Sequence, residues 1–182
     1  MLPRLRSAAD RIAFGKEETM TDREHSLTLA PIDPSHDAAM AAIVRRALKA
    51  HGLDIPGTVY FDPSLAHLSA YYDRPGRAYF VLVENGVVLG GVGVAEFDGL
   101  EDCCELQKLY LDEEVRGRGI GYDLIRYIED RAREMGYRRI YLETHSNLAA
   151  AIHEYQRSGY ARIPQPETVI HSAMNRFFLK EL

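Results

Sequence analysis

The stretch Arg116-Gly117-Arg118-Gly119-Ile120-Gly121 stands between two runs of opposite character. Before it, Cys104 to Leu111 reads as a strand; after it, Ile120 to Met135 reads as an amphipathic helix. A glycine-rich turn that opens a helix leaves several backbone N–H groups unpaired and aimed at one point, which suits a pyrophosphate without help from side chains. A phosphorylated cofactor is the expected occupant, although a helix entered through glycines can also be a purely structural turn.

Spacing separates the known glycine loops. A Walker A loop ends in Gly-Lys-Ser/Thr, and neither the lysine nor the hydroxyl is present. A dinucleotide fingerprint starting at Gly117 needs Gly or Ala at position 122, where Tyr122 stands. What remains is Arg-x-x-Gly-x-Gly.

Working outward, Ser26 to Ile32 alternates as a first strand, and Asp33-Pro34 offers an N-cap with proline at the first helical position. Ala39, Ile43, Ala47 and Leu48 form a helical stripe ending at Gly52, and Ser64 to Tyr72 reads as a short second helix. Ala78 to Val83 and Val87 to Phe97 flank Glu84-Asn85-Gly86, a strong hairpin signal because Asn and Gly tolerate the positive φ of a type I′ turn. With Cys104 to Leu111 they make an antiparallel meander. Downstream, Ile120, Leu124, Ile125, Ile128, Ala132 and Met135 recur at helical spacing up to Gly136. Arg139 to Thr144 is a strand, and Ser146 or Asn147 is expected to cap a helix carrying Leu148, Ala151, Ile152 and Tyr155 on one face. Strands near Tyr160 to Ile163 and Ala173 to Leu179 close the chain.

This order, with the glycine loop, Glu105-Leu106-Gln107-Lys108-Leu109-Tyr110-Leu111 before it, and Asn147, Ala151-Ile152, Tyr155 and Gly159-Tyr160 after it, resembles the GCN5-related N-acetyltransferase (GNAT) family. The resemblance covers about residues 26–182. It departs at Glu154, where the family usually has an apolar residue, and at Tyr160, where phenylalanine is commoner. It implies an α+β fold: a mostly antiparallel sheet of six to seven strands flanked by about four helices. Two segments are expected, an N-terminal extension over 1–21 and the acetyltransferase domain over 22–182. The first 19 residues, with Arg4, Arg6 and Arg11 among apolar residues, read as a loosely attached helical extension, and Met20 offers a second start.

The resemblance also implies a chemistry, transfer of acetyl from acetyl-CoA to a primary amine by direct attack, with no metal. The N–H groups of Gly117, Arg118, Gly119, Ile120 and Gly121, with the charges of Arg116 and Arg118, would receive the pyrophosphate. Leu109, Tyr110 and Leu111 would pair through their backbone with the pantetheine arm, and the Leu109 N–H would polarise the thioester carbonyl. Asn147 matches a position that reaches the cofactor arm. Tyr155 would act on the leaving sulfur, and Glu105 would take the amine proton. His145 and His153 rank below Glu105 as bases. The acceptor, a small-molecule or protein amine, would be chosen by Leu53 to Pro63, with Asp54, Tyr60, Phe61 and Asp62, and by Ile163 to His171.

Composition narrows the remainder. A net charge of −5 and a pI near 5.8 argue against nucleic acid as the main partner. No apolar run approaches the roughly 20 residues that span a bilayer. Adjacent Cys103 and Cys104 suit a reducing compartment, so a cytoplasmic location is expected, and a homodimer is compatible with it. Two other readings compete: a non-catalytic acyl-CoA-binding or regulatory module, and a nucleotide-dependent oxidoreductase, which Tyr122 and the antiparallel meander disfavour.

Overall fold

A computed structural model describes residues 12–14, 27–169 and 173–182. Eight strands form one sheet in the order β1-β2-β3-β4-β5-β6-β8-β7: β1 Ile12–Phe14, β2 Leu27–Pro31, β3 Ala78–Glu84, β4 Val87–Glu96, β5 Cys103–Leu111, β6 Arg139–Thr144, β7 Ala161–Ile163 and β8 Arg176–Glu181. The pairs β1·β2 and β5·β6 are parallel, and every other pair is antiparallel. From Leu27 onward this is the expected mixed sheet. Ile12–Phe14, expected in a helical extension, instead adds a parallel strand beside β2; the rest of that extension lies outside the described residues.

Four α-helices cover the sheet: α1 Asp37–Ala50, α2 Leu68–Tyr72, α3 Ile120–Glu134 and α4 Ala149–Arg157. Strand alternation sorts the core into two layers. Leu82, Val92, Val94, Cys104, Leu106, Ile140 and Leu142 point to α3 and α4, where Leu124, Ile125, Ile128 and Tyr155 meet them. Tyr79, Val81 and Ala95 point the other way, onto Met40, Val44 and Leu48 of α1 and Leu68 and Tyr72 of α2. Full burial of such a side chain contributes about 1.5–3 kcal/mol, so both faces are anchored.

Three local expectations shift. Asp33-Pro34 does not open α1: Asp33 Oδ1 accepts from Ser35 N at 2.7 Å, and the Asp33 carbonyl accepts from His36 N at 3.0 Å. An aspartate that bonds the backbone two residues on stabilises a turn in place of a helix start, so α1 begins at Asp37. The second helix is split. Asp62 caps a 3₁₀ segment, Pro63–His67, before five α-helical residues follow. The last strand is displaced to Arg176–Glu181, where its whole length pairs with β6. The hairpin is as expected, with Asn85 at φ 51° and Gly86 at φ 81°.

Candidate active site

β5 and β6 pair only at Cys103, Cys104 and Glu105 with Arg139, Ile140 and Tyr141, although β5 runs on to Leu111 and β6 to Thr144. Beyond that vertex the two strands part, and the backbone of β5 facing β6 has no strand partner. A wedge therefore opens in the middle of the sheet, with Glu105 at its apex and Leu109, Tyr110 and Leu111 along one wall. Unpaired main-chain groups on such a wall can accept an extended chain as a further strand.

The glycine loop lies at the mouth. Asp112 accepts from Glu114 N at 3.2 Å and starts a short 3₁₀ turn, Glu113–Val115. Arg116 Nε then donates to the Leu111 carbonyl at 3.0 Å, fixing the loop to the end of β5. Gly117 sits at φ 72°, and Gly119, the N-cap of α3, at φ 80°. A Cβ at either would meet nothing within 4 Å, so left-handed backbone conformation is what calls for glycine there. No side chain caps α3, and Asp123 N reaches only back to the Gly119 carbonyl at 3.3 Å. The N–H groups of Ile120, Gly121 and Tyr122 precede it in the first turn and have no intrahelical acceptor. Gly119→Val is expected to lower stability by about 1–2 kcal/mol from the left-handed φ alone, which thermal melting measures.

On the α1–α2 side of β5 the ladder carries a bulge. Gly93 pairs with Gln107 and Gly91 with Tyr110, so Lys108 and Leu109 together oppose Val92. Lys108 adopts φ 50°, and its carbonyl accepts from the Tyr79 hydroxyl at 2.8 Å. The extra residue reverses the alternation. Leu106, Leu109 and Leu111 pack on the α3–α4 layer, while Lys108 joins Glu105 and Gln107 on the other face, its ammonium 5.1 Å from the Tyr71 ring centroid. Tyr72 donates to Gln107 Oε1 at 2.8 Å, and Gln107 Nε2 donates to Glu105 Oε2 at 2.6 Å. Burial is the largest influence on the Glu105 carboxyl and lifts its pKa to about 7; the Gln107 hydrogen bond lowers it, the Glu143 charge raises it and the Lys108 charge lowers it.

Tyr155 is buried on α4, and burial together with the nearby Tyr110 phenol pushes its hydroxyl well above the ordinary tyrosine range. Tyr110 packs with the α1–α2 layer and Tyr155 with the α3–α4 layer, so the wedge is where the two phenols approach one another. Asn147 is not a cap. Leu148 holds the N-cap position of α4, and the Asn147 side chain instead donates to the His51 carbonyl at 3.0 Å, tying this loop to the end of α1. Ser146 is not a cap either; its N–H donates to Asn175 Oδ1 at 2.9 Å. The sequence 145–148 makes a turn closed by Leu148 N on the His145 carbonyl, which delays the helix. His145 Nδ1 accepts from Asn147 N at 3.1 Å, a structural use of the ring, and His153 is exposed on α4.

The chain matches the family described as Acetyltransferase (GNAT) family over residues 44–160. It belongs to the GNAT acetyltransferase family. YjgM of Escherichia coli (strain K12), an uncharacterized N-acetyltransferase, is 40% identical over 127 residues, 69% of this chain and 76% of that protein. The fold is shared with a GNAT-family acetyltransferase of Staphylococcus aureus Mu50, at TM-score 0.75 and 19% identity, covering 85% of this chain and 98% of that one. It is shared too with PaiA N-acetyltransferase of Thermoplasma acidophilum, solved in complex with coenzyme A, at TM-score 0.69 and 14% identity over 86% and 99% of the two chains. As a GNAT member this protein is an acyltransferase that moves an acetyl group from acetyl-CoA to an amine, and the non-catalytic alternative is disfavoured.

Glu105 and Leu109 to Leu111 lie along β5, the glycine loop continues from its end, and Tyr155 of α4 approaches Tyr110. The sequence reading passed over Gln107, Lys108 and Glu143, which act on Glu105. A signal for Gln107 and Glu143 was present: polar residues at alternate positions of otherwise apolar central strands. Nothing local marked Lys108, because its face is set by a bulge opposite Val92, in the neighbouring strand β4. Among the described residues no group of His, Cys, Asp and Glu could hold a metal, Cys103 and Cys104 are free thiols, and no described helix is long and apolar enough to cross a membrane.

Proposed function

We propose that acetyl-CoA lies in the wedge, with its pyrophosphate on the N–H groups from Gly117 to Gly121 and its pantetheine arm along Leu109, Tyr110 and Leu111. The observation that carries this reading is the early end of the β5·β6 pairing, which leaves main-chain groups open beside the uncapped start of α3. The helix dipole and the Arg116 and Arg118 charges add attraction for the phosphates. Leu109 lies in the bulge opposite Val92, and its N–H is the donor assigned to the thioester oxygen. Asn147, held to the His51 carbonyl, positions the loop before α4.

The acceptor is a primary amine on a small molecule or a protein, and Glu105 is its base. Gln107 holds one carboxylate oxygen, which leaves the other to take a proton from the ammonium. The neutral nitrogen attacks the thioester carbon and the C–N bond forms; on collapse the C–S bond breaks, and the second proton that the nitrogen must shed passes through water to solvent. The sulfur departs with its electron pair, and Tyr155 donates a hydrogen bond to it. A phenol whose pKa is raised by burial stays protonated, and a thiol of pKa about 8.5 needs little more than that bond to leave. Tyr155→Phe is therefore expected to lower kcat roughly 10- to 100-fold, the worth of one hydrogen bond to a charged group, while the Kd for acetyl-CoA changes by less. Unchanged turnover would remove Tyr155 from the mechanism.

The reading as a whole is tested by mixing the protein with acetyl-CoA and a panel of primary amines. Amine-dependent release of CoA thiol, with the acetylated amine detected by mass, supports it; acetyl-CoA binding without release would return the chain to the class of acyl-CoA-binding modules.

A further inference from the structure

The bulge on β5 brings a cation to the face that carries Glu105. Without it, position 108 would point into the apolar layer under α3; with it, the Lys108 ammonium lies over the faces of Tyr71 and Tyr72, 5.1 and 5.7 Å from their centroids. A non-glycine residue at φ 50° costs about 1–3 kcal/mol, a cost that persists only where surrounding contacts enforce it. Here the Tyr79 hydroxyl enforces it through the Lys108 carbonyl.

Lys108 is half-buried, and among the described residues no carboxylate lies within 4.0 Å of its ammonium. Asp62 and Glu105 act on it from farther away, against the desolvation that lowers its pKa. The nearby guanidinium, Arg77, is already committed to Glu96 through its Nε at 2.8 Å. A partly desolvated ammonium gains most from a counter-ion brought by a ligand. The surroundings limit what that ion can be. Glu105, Glu143 and Asp62 repel a dianion such as a phosphate, whereas a single carboxylate matches the single ammonium.

From this placement, and resting on the acetyl-transfer reading above, we infer that the acceptor is a zwitterionic amino acid: Lys108 binds its carboxylate while Glu105 faces its amine. Lys108 is then a specificity residue that touches substrate, and the tyrosine faces of α2 hold its ammonium in position.

The test compares common L-amino acids with their carboxamides and with the amines left when the carboxylate is replaced by hydrogen. Two quantities are read: thiol release from acetyl-CoA, and calorimetric binding in the presence of CoA. For the wild type, kcat/KM for the best amino acid should exceed that of its carboxamide by about 10- to 100-fold, the range of a charge-assisted bond. In Lys108→Gln the ratio should collapse to within a few-fold of unity. Lys108→Gly gives the same result with a backbone suited to positive φ, so loss of folding cannot produce it; Lys108→Arg should keep most of the preference. Equal turnover of amino acids and carboxamides in the wild type leaves acetyl transfer standing and overturns the inference. So does a preference that survives in the glycine variant, or the absence of both turnover and binding of every amino acid. Lys108-dependent amino acid binding without thiol release would uphold the inference and sink the roles given to Glu105 and Tyr155.

Discussion

Glu105→Gln is expected to lower kcat/KM about 10²- to 10³-fold at pH 8, the largest effect of any single conservative change at the site, because general base catalysis contributes about 10²–10⁴-fold. The carboxyl pKa of about 7 fixes how this depends on pH. The base must be ionised, so wild-type kcat/KM should rise tenfold per unit as pH climbs toward 7 and level off above it. The variant should lack that limb, and a wild-type profile flat from pH 5.5 to 8 would exclude Glu105 as the base. Stability runs the opposite way. The folded carboxyl holds its proton up to about 7, whereas an unfolded glutamate loses it near 4.5. Rising pH therefore costs the folded state stability across that window. Replacing Glu105 with neutral Gln removes the penalty, so Glu105→Gln should melt higher than wild type at pH 8, with the difference vanishing below pH 4.5. Loss of activity with gain of stability is the signature of a group held for chemistry.

The second large effect is structural and is transmitted to the site. Gly93→Val is expected to destabilise the fold by about 3 kcal/mol or more, since overpacking a filled interior costs typically 1–3 kcal/mol and more where backbone must move. Even a Cβ at Gly93 would lie 2.4 Å from Tyr79 Cδ2, 2.9 Å from the Ala78 carbonyl oxygen and 3.1 Å from Tyr72 Cε1. These rings carry the hydroxyls that hold the bulge: Tyr79 on the Lys108 carbonyl, and Tyr72 on Gln107, which in turn holds Glu105. Chemical denaturation should show the loss of stability. Any folded fraction should show a raised acceptor KM before a raised acetyl-CoA KM, because the tyrosines lie on the face of β5 that carries Glu105 and Lys108, where the acceptor is proposed to bind. A Gly93→Val protein with unchanged melting temperature and acceptor KM would refute this chain of contacts.

Much of the fold was legible because its signals are short in range. The Asn85-Gly86 turn, the stripe from Ile120 to Ala132 and the stop at Gly136 each depend on residues within a few positions of one another, and each stands where its pattern placed it. The local errors have the same origin. Asp33 and Asn147 are good cap residues, but Asp33 is used by its own turn and Asn147 by the carbonyl of His51, just past α1. Asp33 finds a competing partner two residues on in Ser35, whereas the partner of Asn147 is one that only tertiary geometry presents.

The sequence by itself determined the glycine loop and the elements on either side of it. A glycine loop of given spacing, a strand before it and a helix after it define an anion cradle through backbone conformation, which residues at 117 and 119 specify locally. Tertiary structure alone decided the surroundings of Glu105 and Lys108. The parting of β5 from β6, the bulge that turns Lys108 toward Glu105, and the burial that lifts the Glu105 carboxyl to about 7 all arise from strands and helices distant in sequence. Electric field and desolvation depend on what surrounds a group in space, and no pattern of neighbours along the chain contains that information.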